Sequence, residues 1–454
     1  MNNKMQSPTI LLLGTFDTKT PELTYTHQTL LTQTPQPNIL VLDVSHHPPP
    51  TTTTSVTDLN ITHTIPQKDL PGQRAEYIKA ASEHATTIVA DLYKENKIHG
   101  IISIGGSCGT NIATAAMRNA LPVGFPKLMV STMASGDVKP YVEETDVTMM
   151  YSVVDIAGRN WILEGILRNA ACAIFGMAGG YYKSLLKSQS HREGGNGGSR
   201  GKKRVGITMF GVTTPGVDRI RAHLEDVYGF EVYVFHATGA GGKAMERLIR
   251  EGQLDAVVDL TTSEVVDEVM GGVLSAGPER LVAAARAGIP QVVSVGACDM
   301  VNFGPRNTIP ERYEGRLIYE HNPTVTLVRP NAEETVAVAK FIAEKLRSCA
   351  VKPELIRLVL PTGGISMIDT PGQPFYDPEV DEVLFLTLEK ELDGTGISIL
   401  RDPRAINDPE FAVSVADMLG DLLSEMTDFG DDPNMDSADK EGILKAVTEV
   451  KTGD

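Results

Sequence analysis

The sequence predicts an α/β protein built on two doubly wound, mainly parallel sheets, and three features carry that expectation. Short apolar runs alternate with longer amphipathic segments along the chain, the pattern of strands covered by helices on both faces. Residues 188–203, SQSHREGGNGGSRGKK, hold five glycines and no large apolar side chain, the composition of a flexible linker. Directly after it, RVGITMFGVTT restarts a strand pattern and echoes the opening LLLGTFDTK. Two Rossmann-like domains follow, at 1–190 and 204–426, with a linker at 188–203 and a solvated acidic tail at 427–454.

In the first half the strands fall at 9–16, 38–44, 99–104, 127–132 and 147–152, each an unbroken apolar run instead of an alternating one. Helices fill 21–30, 73–94, 110–119 and 157–187. The stretch 46–64, with three prolines and a threonine run, reads as a long surface loop. In the second half strands fall at 204–210, 231–236, 256–260, 291–295, 356–360 and 397–400. Helices lie between them at 215–228, 243–251, 278–287, 333–348 and 408–425. Trp161 sits in a helical apolar pattern and reads as core.

Composition narrows the function. The 454 residues are 41% hydrophobic and 22% charged, values of an ordinary globular chain. The 58 acidic residues against 41 basic ones leave a formal charge of −17. That argues against nucleic-acid and anionic-membrane partners, which need clustered Lys and Arg, but leaves room for a nucleotide or other phosphate-bearing small molecule. The cysteines Cys108, Cys172, Cys298 and Cys349 form no CxxC pair and read as reduced thiols of a cytoplasmic protein. The opening residues lack a signal-peptide pattern, and no run reaches the ~20 apolar residues of a membrane span.

In doubly wound sheets ligands collect at the carboxyl ends of the strands. The first such loop, Gly14-Thr15-Phe16-Asp17-Thr18-Lys19, offers a tight turn, two hydroxyls, a cation, and a carboxylate that can hold a ribose hydroxyl or Mg²⁺, or cap the next helix. The second, Gly105-Gly106-Ser107-Cys108-Gly109-Thr110, opens a helix as a phosphate cradle does. It also matches G-x-S-x-G, a nucleophile elbow in which Ser107 would need a later His and Asp. A third, Ser131-Thr132-Met133-Ala134-Ser135-Gly136-Asp137, gathers more hydroxyls, and Asp155 adds a carboxylate. In the second half, His236, Glu264 and Asp299 are candidates for acid–base catalysis, and Cys298 for a nucleophile. They motivate an alternative function: an enzyme, hydrolase or lyase, acting on a small carboxylate or carbonyl metabolite in an inter-domain cleft.

The runs GTFDTK, GGSCGT, STMASGD and SVVDI, then GITMFGVTTP, VFHATGAGGKAME, DLTTSEV, SVGACDMVNFGP and FYDP, extend over residues 9–423. In them the chain resembles the UPF0261, or Tm-1-like, family. The resemblance implies two Rossmann-like subdomains, ATP with Mg²⁺ bound in the first, and a homodimer. It implies nucleotide contacts at Gly14, Thr15, Asp17, Thr18, Lys19, Gly105, Gly106, Ser107, Gly109, Thr110, Thr132, Ser135 and Gly136. Where the family loop commonly reads GGSGGT, this chain has Cys108, whose side chain narrows the approach of a phosphate.

Overall fold

The computed structural model describes residues 7–47, 61–66, 71–193 and 202–428. The chain divides into two compact units between Ser199 and Arg200.

The first unit runs β1 (Thr9–Gly14), α1 (Thr20–Leu31), β2 (Asn38–Asp43), β3 (His63–Thr64), α2 (Arg74–Lys94), β4 (Gly100–Gly105), α3 (Ser107–Ala120), β5 (Lys127–Ser131), α4 (Lys139–Val142), β6 (Thr148–Tyr151) and α5 (Trp161–Glu193). Its sheet has the order β3-β2-β1-β4-β5-β6, and every pairing is parallel. The unbroken apolar runs have a simple cause: successive side chains point to opposite faces, and both faces are covered. Leu11, Leu13, Leu42 and Ile101 pack under α2 and α3. Ile10, Leu12, Val41 and Ile102 pack against α1 and α5.

The second unit runs β7 (Arg204–Met209), α6 (Thr214–Asp226), β8 (Glu231–His236), α7 (Ala240–Arg250), β9 (Ala256–Thr261), α8 (Ser263–Met270), α9 (Ala283–Ala287), β10 (Gln291–Gly296), β11 (Val301–Phe303), β12 (Ile318–Asn322), β13 (Val325–Val328), α10 (Ala332–Cys349), β14 (Ile356–Pro361), α11 (Pro378–Leu392), β15 (Ser398–Asp402) and α12 (Pro409–Asp428). Its six-stranded parallel sheet has the order β15-β14-β10-β9-β7-β8, and β11-β13-β12 form a small antiparallel sheet beside it. Both six-stranded orders are doubly wound. The first reverses direction between β1 and β4, the second between β7 and β9.

Four features depart from the sequence expectation. Helix α5 continues to Glu193, because nothing between Ser188 and Glu193 is Gly or Pro; the glycine run proper, 194–201, lies outside the described residues, as do 48–60 and the tail from 429. Helix α8 was not anticipated; six of its eight residues are buried, the polar Ser263, Glu264 and Asp267 among them. The strands of the small sheet are short, and β12 is largely exposed. Trp161 is not core: it is 83% exposed at the start of α5. Among the described residues, Trp161–Lys187 is the one helix long and apolar enough to cross a bilayer by composition, yet Leu163, Leu167, Ala170 and Ile174 are buried against the sheet.

Candidate functional site

A cleft of ≈ 610 Å³ opens at the β1/β4 reversal, lined by the loops that follow β1, β2, β4 and β5. The β1 loop is anchored from below. Asp43, at the end of β2, accepts hydrogen bonds from the Phe16 amide (3.3 Å) and the Ser45 amide (2.9 Å) and from the Ser45 hydroxyl. The Ser45 hydroxyl accepts from the Asp17 amide at 2.9 Å. Burial raises the Asp43 carboxyl above the ordinary range against these hydrogen bonds. A Cβ on Gly14 would lie 2.5 Å from Cδ1 of Leu23 in α1, so any larger residue there forces that buried leucine to move.

The loop brings Thr15, Asp17, Thr18 and Lys19 to the cleft. The Lys19 ammonium donates to the Ile156 carbonyl, which leaves two of its three N–H groups. Asp155 also lines the cleft. Across from it, α3 begins at Gly106, Ser107, Cys108 and Gly109. Gly106 provides no side-chain cap, and among the described residues the amides of Ser107, Cys108 and Gly109 find no acceptor. The positive end of a helix macrodipole therefore faces the cleft. Arg74 reaches over it, Nη2 lying 3.3 Å from Ser107 Oγ.

Of the residues anticipated from sequence, Thr15, Asp17, Thr18, Lys19, Gly106, Ser107, Gly109 and Thr132 line the cleft. Gly14, Gly105 and Thr110 lie buried behind it; the Thr110 hydroxyl bonds Gly106 O and Ser131 Oγ and so fixes the start of α3. Ser135 and Gly136 are exposed outside the cleft lining. His46, His47, Gly72, Arg74 and Tyr77 were missed. The histidines stand at the carboxyl end of a strand, where the rule for doubly wound sheets points, but the prolines and threonines after them read as loop. The Ser107 hydroxyl meets Arg74, and among the described residues no histidine hydrogen-bonds it. Burial holds the Cys108 thiol above its usual pKa, against the opposing charge of Arg74.

The second unit treats the same positions differently. The glycine loop between β8 and α7 is closed by the protein's own carboxylate, with Glu264 Oε1 accepting from the Gly239 amide (2.7 Å) and the Gly242 amide (3.0 Å). Those glycines make room for it: a Cβ on Gly242 would lie 2.0 Å from Glu264 Oε2. Glu264 is held in turn by Arg280, which is wholly buried and also pairs with Glu246 and Asp259. At the start of α6, Asn407 Oδ1 accepts from the Gly216 amide at 3.0 Å.

The three candidate acid–base residues have separate partners. Glu264 is spent on Arg280 and the α7 amides. Asp299 accepts from Ser366 at 2.8 Å beside the cluster in which Arg329 joins Asp369 and Asp381. His236 is exposed, its ring 5.7 Å from that of Phe210. Among the described residues no hydrogen bond or ion pair links any two of the three. Burial pushes the Cys298 thiol up to about 12, so it stays protonated at neutral pH and is a poor nucleophile.

Two family models match the chain. The N-terminal domain of the uncharacterised protein family UPF0261 covers residues 8–183, and its C-terminal domain covers 202–423. The chain belongs to the UPF0261 family. A UPF0261 protein of Clostridium tetani is 43% identical over 92% of this chain and 99% of its own length. The ToMV resistance protein Tm-1(GCR237) of Solanum lycopersicum is 37% identical over 90% of this chain, and the match spans 55% of the tomato protein. Among solved structures, MurG of Acinetobacter baumannii aligns over 90% of this chain and 99% of its own, at 10% identity and a TM-score of 0.23.

Two outcomes follow. Arg280→Met strands three buried carboxylates, so the unfolding free energy in urea is expected to fall by about 3–5 kcal/mol. The two units should also respond to pH with opposite sign. Burial raises Asp267 to about 7 and also raises Asp299 and Asp369. Unfolded Asp titrates near 3.9, so the folded second unit binds more protons, and its stability is lost as pH rises through the shifted values. In the first unit burial lowers His27, His63 and His99, three groups against the one raised carboxyl of Asp43, so stability there is lost as pH falls below about 6.5. Amide exchange from about pH 5 to about pH 8, corrected for its intrinsic pH dependence, should show protection falling in β9 and β10 and rising in β1 and β4.

Proposed function

We propose that the N-terminal unit binds a nucleoside triphosphate, ATP with its Mg²⁺, in the cleft at the β1/β4 reversal. The observation that carries this reading is the uncapped start of α3, whose amides at Ser107, Cys108 and Gly109 face the cleft between Lys19 and Arg74. Backbone N–H groups, a helix dipole and two cations together favour a polyphosphate.

The rest of the donor set fits the same group. Thr15, Thr18, Ser107 and Thr132 supply hydroxyls for phosphate oxygens. Asp17 and Asp155 supply the carboxylate oxygens that a hard divalent cation takes. When bound, the ion would neutralise phosphate charge close to those carboxylates. His46 and Tyr77, with ring centroids 4.7 Å apart, offer an aromatic surface to a base. The volume of ≈ 610 Å³ falls within the ~300–1,000 Å³ common for small-molecule sites. Cys108 narrows the phosphate approach, which favours contact through Gly106 and Gly109 on either side of it.

Titration calorimetry of the full chain with ATP and Mg²⁺ tests this. Binding is expected, with Lys19→Ala and Arg74→Ala each weakening it about 10- to 100-fold. Ser135→Ala, outside the cleft lining, should leave affinity within about twofold. No binding heat, or affinity indifferent to both cationic substitutions, contradicts the reading.

A further inference from the structure

Asp155 reaches the cleft from the segment 152–160, which joins the end of β6 to the start of α5 without a helix or strand of its own. Its side chain is exposed, and one carboxylate oxygen accepts from the next amide in the chain, that of Ile156, at 2.8 Å. That bond turns with the backbone, so it does not decide where the carboxylate lies.

The backbone is fixed from elsewhere. On one side Ser152 is buried, its amide donating to the Ser131 carbonyl at 3.2 Å and its hydroxyl to the Val154 carbonyl at 2.8 Å. On the other, the start of α1 holds the segment at two points. The Lys19 ammonium donates to the Ile156 carbonyl, and Glu22 Oε1 accepts from the Gly158 amide at 2.6 Å. Between these anchors Val153 stands at φ = 62° with its side chain 58% exposed. A β-branched residue keeps that conformation only where its surroundings over-determine it. An exposed side chain packs too little to do so, and the bend is held by its anchors.

Glu22 is the unexpected anchor. It is wholly buried, and among the described residues Oε2 has no hydrogen-bond partner. A buried acceptor left unpaired is costly, and an apolar side chain would fill the same space without that cost. Lys19 has a further use in the cleft, but Glu22 is not part of the lining. Nor does pinning Gly158 bury apolar surface, since Gly158 is exposed and a Cβ there would meet nothing within 4 Å. What the carboxylate supplies is position, through a charged acceptor that bonds an amide more strongly than a neutral one does.

We propose that Glu22 is the positioning residue of this cleft: by holding Gly158 it sets the backbone that presents Asp155, and so governs the divalent-cation share of binding, a role that rests on the nucleotide reading of the same cleft. Glu22 itself touches neither cation nor phosphate. It acts as the hydrogen-bonded neighbours of metal ligands do, by fixing a ligand before the ion arrives.

Calorimetry with ATP, once with Mg²⁺ and once with EDTA, tests this together with amide exchange of the nucleotide-free chain. Glu22→Leu removes the acceptor at similar volume. It should weaken binding of ATP with Mg²⁺ about tenfold and change affinity for ATP in EDTA by less than about twofold. Asp155→Ala added to Glu22→Leu should weaken binding no further, because both act through one carboxylate. Glu22→Gln keeps an oxygen for Gly158 and should bind as the parent does. In the nucleotide-free chain Glu22→Leu, and not Glu22→Gln, should speed amide exchange at 153–158 about tenfold. Equal weakening with and without Mg²⁺, additive losses, or unchanged exchange overturns the proposal. If Glu22→Leu does not fold, the parent decides: ATP with Mg²⁺ should slow exchange at 153–158 more than ATP in EDTA does, and an equal effect overturns it. A parent chain that binds no ATP refutes the nucleotide reading and the cation role with it, whereas ATP binding that Glu22→Leu leaves untouched overturns the role of Glu22 alone.

Discussion

The first amides of a helix need acceptors, and the whole arrangement turns on who supplies them. In a doubly wound sheet these helix starts gather at the carboxyl ends of the strands, where the dipoles converge on one edge. In the second unit the protein supplies the acceptors itself. Glu264 caps α7, Asn407 caps α6, and Arg280 keeps the Glu264 charge in place. In the first unit the start of α3 is left open beside Lys19 and Arg74. Two glycine-rich loops that look alike in sequence are thus chemically opposite: one already holds its anion, the other offers a place for one.

This division accounts for the buried charge of the second unit. Arg280 among three carboxylates would be a costly burial if left unpaired, and removing any partner exposes the rest to that cost. Its neighbours confirm the commitment: Glu246 accepts the amides of Leu281 and Ala283, and Asp259 accepts from Gln291. The network locks α7, α8 and β9 around one guanidinium. Asp43 does a smaller version of the same work in the first unit, where it fixes the β1 loop.

Much of the fold was legible in the sequence, because unbroken apolar strands and amphipathic helices follow directly from a sheet covered on both faces. What stayed hidden has physical reasons. Helix α8 is only eight residues long and buries Ser263, Glu264 and Asp267 with its valines, so its polar stripe does not mark an exposed face. Helix α5 passed through the start of a supposed linker because its polar residues there include no helix breaker. Trp161 looked like core because an apolar helical pattern cannot tell a face packed on its own sheet from one that is open. At the candidate site, the β1 and β4 loops were readable from Gly14 to Lys19 and from Gly106 to Gly109. Arg74, His46 and Tyr77 were not, since they reach the cleft only through folding. The pairing of Glu264 was hidden for a related reason: a carboxylate at a strand end looks available until Arg280, sixteen residues on, is seen to close over it.

The contrast between the two helix starts can be measured directly by amide hydrogen exchange, with and without ATP and Mg²⁺. The expected result is slowed exchange in the segment from Gly105 to Thr110 and no change in the segment from Gly239 to Lys243. Unchanged exchange at Gly105–Thr110, or equal slowing in both segments, would contradict the account.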